Sequence, residues 1–217
     1  MVTVISFDVD GTLVDSSFAD RVWLEGVPHL YAEQYGIPFE IAQQKIIKEY
    51  DRIGEEDIRW YQLKYWFNHF RLEGSRYDLL NTYKNEITVY EEVFEVLPRL
   101  HKKYTLIVAS NAHRDFLSLT LSTIEIYFDH IFSATSDFKR VGKYEEFYRE
   151  VCRQLNVHPG EVAHVGDHYT FDYEVPRQLG IHAFFLDRTR RKGRGLRNLR
   201  EFEEEILTLE GIENSHP

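Results

Sequence analysis

The chain has 217 residues, of which 43% are hydrophobic, 29% are charged and 15% are aromatic. This composition predicts a folded globular protein and excludes an intrinsically disordered chain, and the length suffices for one large domain or for a domain that carries an insert. The formal net charge of -10 disfavours nucleic acid and anionic membranes as bulk partners, because the field of the whole molecule repels polyanions. An anionic substrate therefore requires local cations or a metal ion.

The chain carries no evident membrane or export signal. No apolar run approaches the roughly 20 residues that a membrane-spanning helix needs, and the start MVTVISFDVD lacks the order of a signal peptide. We therefore expect a cytoplasmic protein without a membrane partner. The single cysteine, Cys152, excludes an internal disulfide, and its apolar neighbours predict a core residue.

Short runs rich in β-branched and aromatic residues predict five strands, separated by longer segments with helical periodicity. This alternation indicates βαβ units, so the predicted fold class is α/β, with a Rossmann-like open parallel sheet flanked by helices. Helices are predicted over 144–155 and near 199–209, and Pro98 is expected to kink or end its helix early. The predicted strands cover residues 2–7, 105–109, 130–133, 161–165 and 182–186.

Residues 15–90, between the first and second strands, are too many for a simple crossover and contain no convincing strand. We interpret them as an inserted α-helical domain, which leaves residues 1–14 and 91–217 for the core. An aromatic cluster in the insert is expected to form bundle core for the most part, while one or two of its rings could face a substrate. The cluster consists of Trp60, Tyr61, Tyr65, Trp66, Phe67 and Phe70.

Polar residues stand at the ends of several predicted strands. The carboxyl ends of parallel strands line one edge of a sheet, and ligands bind in the crevice there, so these residues are expected to converge in space. They are Asp8, Asp10, Gly11 and Thr12 after the first strand, Ser110 and Asn111 after the second, Lys143 before a helix, and Asp167 with Asp172 after a later strand.

Each of these motifs has a structural alternative when it is taken alone. Asp10-Gly11 suits a β-hairpin turn, and Ser110-Asn111 suits the cap of the following helix. Lys143 alone could be a solvated surface side chain, and Asp167 alone could be a turn or cap residue. None of these alternatives explains why acids, a hydroxyl and a lysine all fall at the same edge of one sheet.

The order of the motifs DVDGTLVDS, VASN, GK and VGDHYTFD resembles that of hydrolases of the haloacid dehalogenase (HAD) superfamily, over nearly the whole chain. The insert after the first motif is similar to the phosphatase branches, in which a helical cap domain follows that motif. Two positions depart from the family pattern: Tyr144-Glu145-Glu146 stands where a proline is often found, and His168 replaces a commonly small residue. The resemblance implies a Mg²⁺-dependent phosphatase that acts on a small phosphorylated metabolite through an aspartyl-phosphate.

The resemblance also implies a role for each site residue. Asp8 is the nucleophile, Asp10 is the general acid and base, and Mg²⁺ is held by Asp8, the main-chain carbonyl of Asp10, and Asp167. The residue types agree, because hard oxygen ligands suit Mg²⁺ and neighbouring acids repel one another unless a cation lies among them. The substrate phosphate is expected to bind Ser110, Asn111, Lys143 and main-chain N–H groups near Gly11 and Thr12, with Asp172 in a supporting role.

Two other functions compete with the phosphatase. A 2-haloacid dehalogenase would also use an aspartate nucleophile, but the resembling dehalogenases lack an acid at the position of Asp10. A catalytically idle binding protein could use the basic segment from Arg188 to Arg200, although its glycines are typical of a solvated loop. His164 and His168 straddle a strand end and a loop, which argues against a zinc pair. The substrate stays open among sugar phosphates, phosphoglycolate and nucleotides.

Overall fold

A parallel sheet forms the centre of the protein, for which a computed structural model describes residues 1–190, 193 and 195–213. The five predicted strands are confirmed, and their ends differ from the predicted ends by no more than two residues. The strands are β1 (Val4–Phe7), β2 (Thr105–Ser110), β3 (His130–Ser133), β4 (Val162–Gly166) and β5 (His182–Phe185). Their order in the sheet is β3-β2-β1-β4-β5, and every neighbouring pair is parallel.

Helices cover both faces of this sheet, as the α/β prediction requires. Alternate residues of β1 point to opposite faces, so Ile5 and Phe7 join one hydrophobic cluster and Val4 joins another. The first cluster packs under α6 (Val93–Leu100), α7 (Arg114–Thr120) and α10 (Leu199–Glu213), and the second under α8 (Glu145–Leu155) and the region of α9 (Val175–Gln178). The core is therefore a three-layer sandwich centred on β1.

The predicted early end of the helix at Pro98 is wrong, because α6 continues to Leu100. Pro98 lies near the helix C-terminus and removes only one N–H donor. The apolar face of α6, including Val93, Leu97 and Leu100, is buried against the sheet. Tertiary packing of this face stabilises the last turn in spite of the lost hydrogen bond.

The insert between β1 and β2 is helical. It contains α1 (Ser17–Arg21), α2 (Val27–Tyr35), α3 (Phe39–Ile53), α4 (Leu63–Phe70) and α5 (Arg76–Tyr83). A π-helical turn, Val22–Gly26, joins the first two, and 3-10 turns occur at Ile58–Tyr61 and Lys84–Glu86. Elsewhere, Glu125–Tyr127 and Pro159–Glu161 are 3-10 turns and Tyr169–Glu174 is a π-helical turn.

The insert has a hydrophobic core of its own, in which Trp66, Phe67 and Phe70 are buried. Phe116 of α7 also belongs to this core, so the core domain contributes a side chain to the insert. At the junction, Val14 and Val89 form an antiparallel bridge that brings the two connecting segments side by side. The domain limits at residues 14 and 90 stay a prediction, which the separate hydrophobic cluster supports. Within the described ranges, no helix combines the length and the apolar character that a bilayer crossing needs.

Candidate active site

Asp8 follows the central strand directly and lies at the middle of the carboxyl edge. Its main-chain N–H donates to the carbonyl of Val165 in β4 at 2.9 Å, which continues the ladder of the sheet by one residue. The residue is 7% exposed, and the Thr12 hydroxyl lies 3.5 Å from Oδ2 of Asp8. The first predicted site residue is therefore buried and held by both the sheet and the following turn.

Asp10 and Gly11 form a tight turn, but the chain then enters the insert, so the β-hairpin alternative is wrong. The N–H of Gly11 donates to the Val14 carbonyl at 2.7 Å, and that of Thr12 donates to the Val9 carbonyl at 3.1 Å. Both N–H groups are occupied inside the turn, so among the main-chain donors predicted near Gly11 and Thr12 these two are not free for a phosphate. Within the described part of the chain, the N–H groups of the two preceding residues, Val9 and Asp10, make no hydrogen bond and stay available as donors.

Gly11 lets the turn approach the fourth motif closely. Its φ is +77°, in the left-handed region that favours glycine, and a Cβ here would lie 2.2 Å from Oδ2 of Asp167. A side chain at this position would therefore displace the Asp167 carboxylate. The first motif therefore needs a glycine at position 11 because Asp167, more than 150 residues away in the chain, lies against it.

Ser110 is the last residue of β2 and Asn111 follows it, and neither caps the next helix, so the capping alternative is also wrong. That helix, α7, begins at Arg114, and its first turn is capped by His113, whose Nδ1 accepts the N–H of Asp115 at 3.2 Å. Ser110 is 2% exposed, and its hydroxyl oxygen accepts the N–H of Ala112 at 3.0 Å. Its hydroxyl proton stays available to a ligand.

The side chain of Asn111 holds the loop that carries the predicted lysine. Its Oδ1 accepts the N–H of Gly142 at 2.9 Å, one residue before Lys143. Both Ser110 and Asn111 line the same cavity as Asp8. The second motif thus reaches the site directly and also fixes the third.

Lys143 is buried, in contrast to the surface alternative. Its Nζ lies 2.5 Å from Oδ1 of Asp8 and 2.5 Å from Oδ1 of Asp172, and it donates to the Ala109 carbonyl at 3.1 Å. Burial alone would lower the pKa of Lys143, but the negative charges of Asp172 and Asp8 raise it above its ordinary value. The lysine is therefore a fixed positive charge between two carboxylates.

Asp172 contacts Lys143, and it belongs to a buried network that the sequence did not indicate. His164 Nε2 lies 3.0 Å from Oδ1 of Asp172, and His164 Nδ1 lies 2.8 Å from the hydroxyl of Ser6. The N–H of His168 donates to Oδ2 of Asp172 at 3.0 Å. Burial would raise the pKa of Asp172, but Lys143 and His164 together lower it below its ordinary value. Register made this network possible, because Ser6 and His164 are partners in adjacent strands.

The acids at the mouth of the site have perturbed pKa values. Burial, followed by the negative charge of Asp8, raises the pKa of Asp10 to about 7. Asp167 is exposed at the rim, yet the protein atoms around its carboxyl, followed by the charges of Asp8 and Asp172, raise its pKa to about 7. These acids crowd one another when no cation is among them.

A divalent cation fits this arrangement. Carboxylate oxygens of Asp8, Asp167 and Asp172 all lie within 4.8 Å of one another. Both oxygens of Asp172 already accept hydrogen bonds from Lys143, from His164 or from the His168 N–H, which leaves Asp8 and Asp167 as the carboxylates best placed for a metal. Hard oxygen donors of this kind suit Mg²⁺.

A cavity of about 530 Å³ lies above the carboxyl edge, between the sheet and the insert. Of the residues predicted to form the site, Gly11 and Thr12 do not line it. The others do: Asp8, Asp10, Ser110, Asn111, Lys143, Asp167 and Asp172. Aromatic side chains form much of the remaining wall, from the insert and from the core alike: Trp23, Trp60, Tyr61, Phe116, Tyr144 and Phe171.

Both departures from the family pattern are part of this wall. Tyr144, after the lysine, packs edge to face on Phe171 with ring centroids 4.9 Å apart. His168, after the fourth-motif acid, stacks on the same Phe171 at 4.4 Å, and its Nδ1 accepts the Phe171 N–H. The rings of His168 and His164 thus have different partners, Phe171 in the first case and Ser6 with Asp172 in the second.

Three arginines of the basic segment, Arg188, Arg197 and Arg200, form internal ion pairs. Arg188 bridges Glu92 at 2.6 Å and the Thr12 carbonyl at 2.7 Å, while its guanidinium lies 3.6 Å from the ring centroid of Tyr90. Arg197 pairs with Glu201, and Arg200 pairs with Glu95 at 2.9 Å. Arg191, Lys192 and Arg194 lie outside the described residues. The arginines of this segment that form these pairs therefore stabilise the fold.

Residues 2–180 match the family model of haloacid dehalogenase-like hydrolases, and the chain belongs to this family. A GMP/IMP nucleotidase of Escherichia coli (strain K12), YrfG, is 28% identical over 72 residues. That match covers 33% of this chain and 32% of the relative, so the chain spans about a third of the length of the curated relative it matches.

Solved structures share the fold at lower identity. The HAD phosphatase from Thermococcus onnurineus is 24% identical, with a TM-score of 0.80 over 95% of this chain and 98% of that one. The 2-haloacid dehalogenase from Pseudomonas syringae pv. Tomato DC3000 is 21% identical, with a TM-score of 0.69 over 96% of this chain and 100% of that one. At these identities the likeness establishes the fold, and the chemistry must be argued from the residues.

Proposed function

We propose that this hydrolase is a Mg²⁺-dependent phosphatase that acts on a small phosphate monoester through an aspartyl-phosphate on Asp8. The observation that carries the proposal is the buried Asp8 at the floor of the cavity, with Lys143 at 2.5 Å and the carboxyl of Asp10 lining the same space. Phosphoryl transfer needs positioning and charge neutralisation around a nucleophile more than it needs a strong base. This set of residues supplies those requirements.

In the first step, a carboxylate oxygen of Asp8 attacks phosphorus, and the bond from phosphorus to the leaving oxygen breaks. Asp10 gives its proton to that oxygen, which leaves as the alcohol. A pKa of about 7 suits this role, because a large share of Asp10 is protonated near neutral pH and its anion is a useful base.

In the second step, a water attacks the phosphorus of the aspartyl-phosphate and gives its proton to the Asp10 carboxylate. The bond from phosphorus to the Asp8 oxygen breaks, which regenerates Asp8 and releases inorganic phosphate. Lys143, the Ser110 hydroxyl and the N–H groups of Val9 and Asp10 hold the phosphoryl oxygens in both steps.

In this proposal the carboxylates of Asp8 and Asp167 and the main-chain carbonyl of Asp10 hold Mg²⁺. The ion, when bound, neutralises charge on the phosphoryl oxygens and relieves repulsion among the acids. Support comes from the carboxylate cluster within 4.8 Å and from the raised pKa of Asp167. A structural neighbour, the HAD-hydrolase YfnB from Bacillus subtilis, is described as bound to magnesium.

A 2-haloacid dehalogenase is the second candidate, favoured by the likeness to the Pseudomonas syringae enzyme. The carboxyl of Asp10 distinguishes the two reactions, because displacement of a halide requires no proton for the leaving group. The proposal also assigns residues 15–90 to a cap domain over the cavity and predicts no nucleic-acid partner, which the ion pairs of the basic segment support.

The test is hydrolysis of nitrophenyl phosphate by the wild type with Mg²⁺, with EDTA, and by Asp8→Asn with Mg²⁺. We expect activity only in the first case, because Asp8→Asn is nearly isosteric and removes only the nucleophilic charge. Circular dichroism of Asp8→Asn serves as the control for folding. Undiminished hydrolysis in EDTA, or halide release from 2-haloacids without phosphate release, would contradict the phosphatase proposal.

A further inference from the structure

One side of the cavity faces the catalytic acids and is formed by aromatic and acidic side chains. We call this surface the cap wall. It consists of Asp20, Trp23, Glu55, Glu56, Trp60 and Tyr61. All six belong to the insert, and none takes part in the proposed phosphoryl transfer. The inference from this wall rests on the proposed function, since it concerns the part of the substrate that leaves as the alcohol.

The aromatic members form one continuous surface. The Trp23 ring stacks on Phe116 with centroids 5.3 Å apart and lies 6.2 Å from Trp60, while Trp60 meets Tyr61 edge to face at 5.0 Å. The rings pack on one another, so a ligand contacts their outer faces and does not enter a slot between them. Electron-rich faces of this kind attract cations.

The cap wall is also negatively charged, and no cation on it offsets that charge. Glu55 and Glu56 form no hydrogen bond or ion pair within the described residues, and their charges, after burial, help to raise the pKa of Tyr61 to about 12. Arg59, the neighbouring cation, is held by Asp57 at 2.6 Å and is not among the lining residues. Asp20, the third acid of the wall, accepts the Ser16 hydroxyl at 2.6 Å.

The rest of the cavity supplies no spare positive charge either. Among the described lining residues, Lys143 is the one lysine or arginine, and it is already shared by Asp8 and Asp172. Burial lowers the pKa of His113, which disfavours a positive charge on its ring at neutral pH, and the Nδ1 of His168 accepts the Phe171 N–H. A second anion on the substrate would face carboxylates without a partner.

We infer that the substrate is the phosphate monoester of an amino alcohol, with an ammonium group that lies against Trp60 and Tyr61 and near Glu55 and Glu56. The aromatic faces and the carboxylates both favour a cation at this place. The same charges disfavour substrates with a second anionic group, such as phosphoglycolate. Glu55 and Glu56 are therefore specificity-determining residues that do not contact the reacting phosphate.

Three esters of similar size test the inference, because they differ in the charge at the far end. They are 2-aminoethyl phosphate, 2-hydroxyethyl phosphate and phosphoglycolate, each assayed for phosphate release with Mg²⁺. We expect kcat/KM to fall in that order, by roughly 10²-fold from the first to the last, as charges about 6 Å from a carboxylate at an intermediate dielectric allow. Choline phosphate should exceed 2-aminoethyl phosphate several-fold, and Trp60→Leu should remove that advantage.

The double variant Glu55→Gln/Glu56→Gln should reduce the preference for 2-aminoethyl phosphate over phosphoglycolate about tenfold, with little change for 2-hydroxyethyl phosphate. Glu33→Gln/Glu40→Gln is the matched control, because both residues are exposed on the insert and do not line the cavity. If phosphoglycolate is hydrolysed as well as 2-aminoethyl phosphate, the inference is wrong and the phosphatase stands. If nitrophenyl phosphate is not hydrolysed either, the proposed function and the inference both fail.

Discussion

Replacement of Lys143 by methionine tests the charge balance between this lysine and the two carboxylates of Asp8 and Asp172, and the test needs no substrate. Lys143 is 2% exposed and is shared by Asp8 and Asp172, whose carboxylate oxygens lie within 4.8 Å of each other. Methionine keeps most of the apolar stem and removes only the charge and the donors. The variant is therefore left with two buried carboxylates and no cation.

The size of the effect follows from these distances. Two unit charges at 4.8 Å, the upper limit of this separation, repel by about 3 kcal/mol at an effective dielectric constant near 20. Protonation of one carboxylate would relieve this repulsion. From an ordinary pKa of 3.8, that protonation costs about 4 kcal/mol at pH 7. Both routes agree with the ~3–5 kcal/mol measured when one partner of a buried ion pair is removed. We expect a loss of ~3–4 kcal/mol in the free energy of unfolding at pH 7.

The loss should depend on pH with a definite sign. In the variant the folded-state pKa of the carboxylate pair lies above its unfolded value, so stability is lost as pH rises. At pH 5 protonation of one carboxylate costs only about 1.6 kcal/mol, so the destabilisation should shrink to ~2 kcal/mol. Urea unfolding in EDTA at pH 5 and pH 7, followed by circular dichroism, measures both values.

Two further variants make the result decisive. Lys143→Met/Asp172→Asn removes the repulsion and should recover ~2–3 kcal/mol relative to the single variant at pH 7, a coupling that a pure packing defect would not produce. Lys64→Met, at an exposed position of the insert, should stay within ~0.5 kcal/mol of the wild type. A Lys143→Met protein whose stability loss is the same at pH 5 and pH 7, with no recovery in the double variant, would refute this reasoning.

Other predictions address the remaining acids and the turn. Asp10→Asn with Mg²⁺ and nitrophenyl phosphate should give a burst of nitrophenol and then turnover slower by roughly 10² to 10⁴. The burst is expected because nitrophenolate leaves without a proton, and the slow phase because hydrolysis of the aspartyl-phosphate still needs a base. Steady wild-type turnover would contradict this prediction. Gly11→Ala should weaken Mg²⁺ binding in calorimetric titrations at least tenfold, because the Cβ of the alanine would lie 2.2 Å from Oδ2 of Asp167. An unchanged affinity would argue against Asp167 as a ligand. The folded-state pKa values of Asp10 and Asp167, about 7, exceed the ordinary value of 3.8, so in EDTA the Tm should fall as pH rises from 5 to 8. Mg²⁺ should restore the Tm at pH 8, and a flat profile in EDTA would show that the acids do not crowd one another. Arg188→Lys should destabilise the protein by ~1–3 kcal/mol in urea unfolding, because lysine cannot reproduce the contacts with Glu92 and the Thr12 carbonyl together; a variant as stable as the wild type would contradict that role.

The sequence alone predicted the sheet and the family. Buried parallel strands are short, nearly continuous apolar runs, and this signal is local, so the five strands could be recognised with errors of one or two residues. The polar residues that follow Phe7, Ala109 and Gly166 are equally local signals, and the parallel arrangement brings them to one edge. These signals therefore predicted that Asp8, Asp10 and Asp167 lie together at one site, whereas the prediction for Lys143 depended on the order of the family motifs.

Other features depend on contacts between segments that are distant in the chain. The network of Ser6, His164 and Asp172 exists because β1 and β4 are paired in one register, and a histidine within a strand carries no local mark of that pairing. The sequence predicted main-chain donors near Gly11 and Thr12, but only the folded turn shows which of these amides form hydrogen bonds inside it.

The cap wall shows the same limit most plainly. Aromatic residues at helical spacing predict bundle core, and Trp66 and Phe70 are indeed buried in it. Trp60 and Tyr61 belong to the same aromatic run, yet they line the cavity. The packing of the insert on the core decides how these two rings are oriented. Phe116 of the core domain supplies part of the contact surface between the two units. Sequence periodicity specifies which face of a helix is apolar, but only the packing of one unit on the other decides whether that face meets protein or substrate.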